Sequence, residues 1–139
     1  MIRQIAVIGS GTMGRGIAYL SAVAGYETIV YDVDQSALDA AQASIESTLR
    51  KGVEKGKVTD SAASEAMSHL HLANELEASV HGADLIIEAV PENFDLKKDL
   101  FAQAGIDPQT FSLTLSYGVE GDNERVVTVR VARGFLKEA

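Results

Sequence analysis

The apolar run "QIAVIG" at residues 4–9 ends in a cluster of glycines, Gly9, Gly11, Gly14 and Gly16. A short β-branched run closed by glycine predicts a strand buried on both faces of a parallel sheet. Residues 12–24 then read as a helix, with Gly25 at its C-terminal cap. The glycines therefore fall on a strand-to-helix turn, where few chain geometries are open. In "GSGTMG" the spacing is G-x-G-x-x-G: Gly9 permits the tight turn, Gly11 lets the backbone approach a ligand, and Gly14 allows close packing of the helix on the strand.

Glycine spacing alone also serves turns and caps. A second feature gives it a chemical meaning. Asp32 closes the next strand, "ETIVYDVD", 23 positions after Gly9, where a carboxylate accepts hydrogen bonds from an adenosine ribose. Bare amides at a helix start, aided by the helix dipole, hold a pyrophosphate. Together these predict a dinucleotide seat made by Gly9, Ser10, Gly11, Thr12, Met13, Gly14 and Asp32. A carboxylate at Asp32 repels a 2′-phosphate, so NAD is expected rather than NADP.

The rest of the chain continues the alternation. Residues 36–53 return to helical spacing, with Leu38, Ala41, Ile45 and Leu49 along one side. Thr59 or Asp60 caps a second helix reaching Leu70, with Ala63, Ala66, Met67 and Leu70 inward. "LHLA" is a strand, Asn74 caps a helical turn through Val80, and "ADLIIEAVP" is a strand stopped by Pro91. A helix follows over residues 93–104. The expected fold class is α/β: a Rossmann-type doubly wound, mostly parallel sheet, with a helical-hairpin arm after the second strand. Beyond "GIDPQ" the pattern changes, because "FSLTLSY" and "RVVTVRV" alternate on either side of the turn-rich "GVEGDNE". That predicts a C-terminal β-hairpin and divides the chain into a dinucleotide-binding part, residues 1–104, and a divergent tail, residues 105–139.

Composition narrows the function classes. At 139 residues the chain is of single-domain size, and its net charge of −8 excludes a general nucleic-acid binder. No apolar run approaches the roughly 20 residues of a membrane span, and the start lacks a secretory pattern; a cytoplasmic protein without a membrane partner is the expectation. There is no cysteine. Arg50, Lys51, Lys55 and Lys57 make a local basic patch on an acidic chain, read either as a solvated helix face or as an anion contact. His69 and His71 lie two apart on a strand and could share a face in the manner of a metal pair. No third ligand is evident, so hydrogen-bonded or solvated histidines and no metal are expected.

On "IAVIGSGTMGRGIAYLSAVAGYETIVYDVD", "RKGVEKGKVT" and "ADLIIEAVPENFDLKKDLF", the sequence resembles the N-terminal domain of L-3-hydroxyacyl-CoA dehydrogenases, especially 3-hydroxybutyryl-CoA dehydrogenases, over about residues 2–101. The resemblance implies hydride exchange between NAD and the C3 position of an acyl-CoA. It further implies that Glu92 and Lys97 contact the ribose and nicotinamide side of NAD. Thr48 and Lys55 would hold coenzyme A from the helical arm, which gives the basic patch a role. The family's "HFFNP"-type segment, with the His that serves as base, has no counterpart here, and no catalytic residue is assigned. "TLSY" stands where a Ser-Asn-Thr-Ser-like stretch is expected. The leading expectation is an NAD-binding domain that is catalytically incomplete as this chain, through truncation or fusion near residue 105. The second is a non-catalytic scaffold or interaction module that associates with a second copy through its hairpin.

Overall fold

Strand β1 (Gln4–Ile8) lies inside the sheet because it is apolar on both faces: Ile5 and Val7 enter one core cluster, Ala6 and Ile8 the other. The computed structural model describes residues 1–90, 99–100, 102–103, 112–119 and 123–130. Four parallel strands form one sheet in the order β3-β2-β1-β4, with β2 at Glu27–Tyr31, β3 at Leu70–Ala73 and β4 at Leu85–Glu88. Ile5 registers with Thr28 on one side and Leu85 on the other. The chain moves outward from β1 through β2 to β3, then returns to place β4 on β1's opposite flank.

Helices cover both faces. On one, α1 (Thr12–Val23), α2 (Gln35–Glu54) and α3 (Asp60–Ser68) bury Ala18, Ala22, Leu38, Ile45, Leu49 and Ala66 against Ile5, Val7, Val30 and Ile87. On the other, Leu76 and Val80 of α4 (Leu76–Val80) join Ala6, Ile8, Tyr31, Ile86 and Leu100. Each fully buried Val, Leu or Ile side chain here contributes about 1.5–3 kcal/mol. The four-residue apolar spacing predicted along residues 36–53 is the buried stripe of α2, and Ala63, Met67 and Leu70 pack inward beside Ala66.

The helix starts follow from local chemistry. The Asp34 carboxylate accepts from the Ser36 amide at 2.8 Å and the Ser36 hydroxyl at 2.7 Å, capping α2. Thr59 caps α3 by accepting from the Ala62 amide at 3.1 Å, which settles the choice between Thr59 and Asp60. The link between these helices turns at Gly56, with φ of +66°, to make the expected helical arm. The assignment of Asn74 as a cap does not hold. The cap position of α4 is Glu75, which makes no side-chain cap bond, so the burial of Leu76 and Val80 accounts for this single turn.

The predicted hairpin is present: β5 (Ser112–Val119) pairs antiparallel with β6 (Asn123–Arg130) as a separate two-stranded sheet. Of the helix expected at residues 93–104, positions 99, 100, 102 and 103 are described and are helical; the remainder lies outside the described residues.

Candidate functional site

The cleft opens at the C-terminal ends of β1, β2 and β4, where crossovers from neighbouring strands leave in opposite directions. Such a switch point is where open α/β sheets bind ligands. Its volume is about 560 Å³, and Gly9 to Met13, Tyr31 to Val33, Ala37, Ala89, Val90 and Leu100 line it.

Three glycines shape it differently. Gly9 has φ of +105°, and a Cβ there would come within 3.0 Å of the Ala89 carbonyl carbon and oxygen; glycine alone turns the chain here and lets the β4 loop close in. A Cβ on Gly14 would run into the Gly9 carbonyl oxygen, so the close approach required of Gly14 is between α1 and the preceding turn. At Gly11 a Cβ would meet nothing within 4 Å among the described residues. That glycine faces open space at the mouth of α1. Gly11 is also the N-cap residue, and α1 has no side-chain cap. Among helix-start amides, those of Thr12, Met13 and Gly14 have no carbonyl four residues back within the helix to bond, while the Arg15 amide donates to the Gly11 carbonyl at 3.0 Å.

Not every amide of the turn faces outward. The Gly9 amide donates to the Tyr31 carbonyl at 2.8 Å. The Ser10 amide donates to Asp32 Oδ2 at 3.0 Å, and the Ser10 hydroxyl to the same oxygen at 2.7 Å. Ser10 is thus spent on Asp32, which leaves the amides at the helix start as the donors of this turn that could meet an anion. Asp32 directly follows β2, and its Oδ1 accepts from the Asp34 amide at 3.1 Å. Beside it, burial first and the Asp32 charge second hold the Tyr31 phenol above its ordinary pKa.

Behind the far wall lies a residue that sequence reading missed. Glu88 is buried at the end of β4, and its Oε1 accepts from the Val90 amide at 2.8 Å, fixing the loop that lines the cleft. The signal was available: a carboxylate ending the apolar run "LIIEAV".

Of the other sequence-predicted residues, Thr48 and Lys55 are not in this cleft lining. Thr48 is exposed on α2, with its hydroxyl donating to the Ser44 carbonyl at 2.9 Å, and Lys55 is exposed at the helix end. Glu92 and Lys97 lie outside the described residues. His69 and His71 both engage Glu27, with His69 Nδ1 at 2.7 Å from Oε1 and His71 Nε2 at 2.8 Å from Oε2. Those two bonds draw the Glu27 carboxyl below its ordinary pKa, His71 contributing most. Among the described residues no His, Asp or Glu group is arranged to hold a metal ion, and no helix is long and apolar enough to cross a membrane.

A doubly wound sheet with a glycine turn, an uncapped helix start and a carboxylate closing the second strand defines a Rossmann-type dinucleotide-binding domain. Comparison with known proteins narrows the class. The sequence profile of the "3-hydroxyacyl-CoA dehydrogenase, NAD binding domain" matches residues 4–111, and the chain belongs to that family. It is 42% identical over 106 residues to a probable 3-hydroxyacyl-CoA dehydrogenase of Caenorhabditis elegans, covering 73% of this chain and 36% of the relative. It is 38% identical over 115 residues to the 3-hydroxyadipyl-CoA dehydrogenase of Escherichia coli, covering 81% and 24%. The crystal structure of 3-hydroxybutyryl-CoA dehydrogenase from Escherichia coli superposes with a TM-score of 0.71 at 39% identity, covering 74% of this chain and 22% of that one. The chain therefore spans about a third or less of the length of these relatives. The cofactor of this domain type is NAD, and the open space at Gly11 fits it.

Proposed function

We propose that the cleft seats NAD(H) as the cofactor half of a 3-hydroxyacyl-CoA dehydrogenase. The pyrophosphate lies over Gly11 on the amides of Thr12, Met13 and Gly14, and Asp32 takes the adenosine ribose. Gly9 and Ser10 support this seat from behind, and Glu92 and Lys97 reach the nicotinamide side. The carrying observation is Gly11: an exposed glycine with free space in place of its missing side chain, set at an uncapped helix start. When bound, nicotinamide supplies the hydride acceptor for the C3 carbon of a 3-hydroxyacyl-CoA. The exposed α2 arm meets coenzyme A through Thr48 and Lys55, the lysine acting as a point charge for phosphate.

Calorimetric titration of the chain with NAD tests the seat. Binding in the micromolar range, weakened at least about tenfold by Asp32→Ala, is expected, the loss of a charged hydrogen-bond acceptor being of that size. Absence of binding at millimolar NAD would refute it. The separate hairpin sheet favours a second role, since its strand edges offer pairing to another copy; a concentration-dependent mass in solution supports that role and a strict monomer removes it.

A further inference from the structure

We infer, resting on the NAD reading of the cleft, that Ser10 is a positioning residue that sets the preference for NAD over NADP by locking the Asp32 carboxylate. An ionised carboxylate offers about four lone-pair positions. At Asp32, Oδ2 receives both the Ser10 amide at 3.0 Å and the Ser10 hydroxyl at 2.7 Å, and Oδ1 receives the Asp34 amide at 3.1 Å. Three positions are filled. The one left is on Oδ1, in a carboxylate that lines the cleft.

Ser10 is suited to this task. It is 3% exposed, and its hydroxyl and amide converge on the same Asp32 oxygen. The surrounding backbone stiffens the clamp: the Gly9 amide holds the Tyr31 carbonyl at 2.8 Å, and the Asp32 amide donates to the Ala73 carbonyl at 3.3 Å. Backbone bonds therefore fix the glycine turn to the end of β2 and that end to β3, and the Ser10 hydroxyl adds a side-chain tie.

Discrimination follows from the remaining lone pair. A ribose 2′-hydroxyl donates a proton to Oδ1. A 2′-phosphate has no proton to give at neutral pH in its fully ionised form and meets a negative charge that cannot rotate away. Removing the Ser10 hydroxyl frees one Oδ2 position and lets the carboxylate turn, which loosens the grip on the hydroxyl and relieves the repulsion of the phosphate. The two affinities then move toward each other, whereas a residue needed only for folding would lower both alike.

The test measures dissociation constants of NAD and NADP for the full chain and for Ser10→Ala, with Ser10→Gly as a second hydroxyl deletion should Ala disturb folding. Each substitution is repeated in an Asp32→Ala background. The expected result is a roughly five- to tenfold fall in the NAD-to-NADP affinity ratio, the size of one ordinary intramolecular hydrogen bond. In the Asp32→Ala background the ratio should not change further. An unchanged ratio, an equal loss of both ligands, or the same fall without Asp32 overturns the inference and leaves the NAD seat standing. Failure of the unsubstituted chain to bind either dinucleotide overturns the seat and the inference together.

Discussion

Gly11 and Gly14 are three residues apart, yet they answer to different demands. A methyl group on Gly14 collides with the Gly9 carbonyl oxygen, while one on Gly11 enters open space. Gly14→Ala is accordingly expected to destabilise the fold by about 3 kcal/mol through overpacking against rigid backbone, read as a lower midpoint in urea unfolding. Gly11→Val should cost only about 1 kcal/mol of stability, the value of an unfavourable N-cap, but fill the space over the helix start and abolish measurable NAD binding. Equal stability losses for the two variants would remove the distinction. The need for a close approach at Gly14 was legible from spacing, because G-x-G-x-x-G encodes a strictly local turn, although the partner is the Gly9 turn and not the strand. The engagement of Ser10 with Asp32 was not, since it depends on two strands coming into register.

Among the secondary-structure elements, carboxylates hold exposed ends in place. Asp84 accepts from the Arg3 amide at 2.8 Å and the Gln4 amide at 3.0 Å, anchoring the start of β1 beside β4. Asp34 caps α2, and Glu27 ties β2 to β3 through His69 and His71. All three have pKa values below their ordinary 3.8, 3.8 and 4.5, through hydrogen bonds to the ionised form. A depressed folded-state pKa adds stability that is fully present above the unfolded value and lost as pH falls through the folded one. The melting temperature should hence be level with respect to these groups above about pH 5.5 and decline below about pH 4.5. Glu27→Gln should make that acid limb shallower; an unaltered limb would show that the His69 and His71 bonds carry no net stability. Thr59→Ala should cost about 1 kcal/mol by removing the cap of α3. Most elements were readable because periodicity is local, as in Leu38, Ala41, Ile45 and Leu49. The Glu27 pairing was hidden because its partners are 42 and 44 positions away, and Asn74 misled because tertiary burial, with no cap, starts α4.

For the molecule as a whole, the seat bridges both halves of the sheet, with Gly9 to Met13 on one side and Ala89 and Val90 on the other. A ligand that binds only this assembled state stabilises the entire domain. Free NAD at a hundred times its dissociation constant should therefore add about 2.7 kcal/mol to unfolding, seen as a rise in melting temperature that Gly11→Val eliminates. A net charge of −8 gives no general attraction for an anionic cofactor, so local helix-start amides must supply it.

The strand order also sets a timetable for biosynthesis. Ile5 acquires one neighbour at Thr28 but must wait for Leu85 to cover its other flank. Ribosomes adding about 5–20 residues per second need ~3–11 s to pass from Thr28 to Leu85. Throughout that interval the nascent chain carries its most apolar strand with one rim bare, a target for chaperone capture until Leu85 to Glu88 emerge.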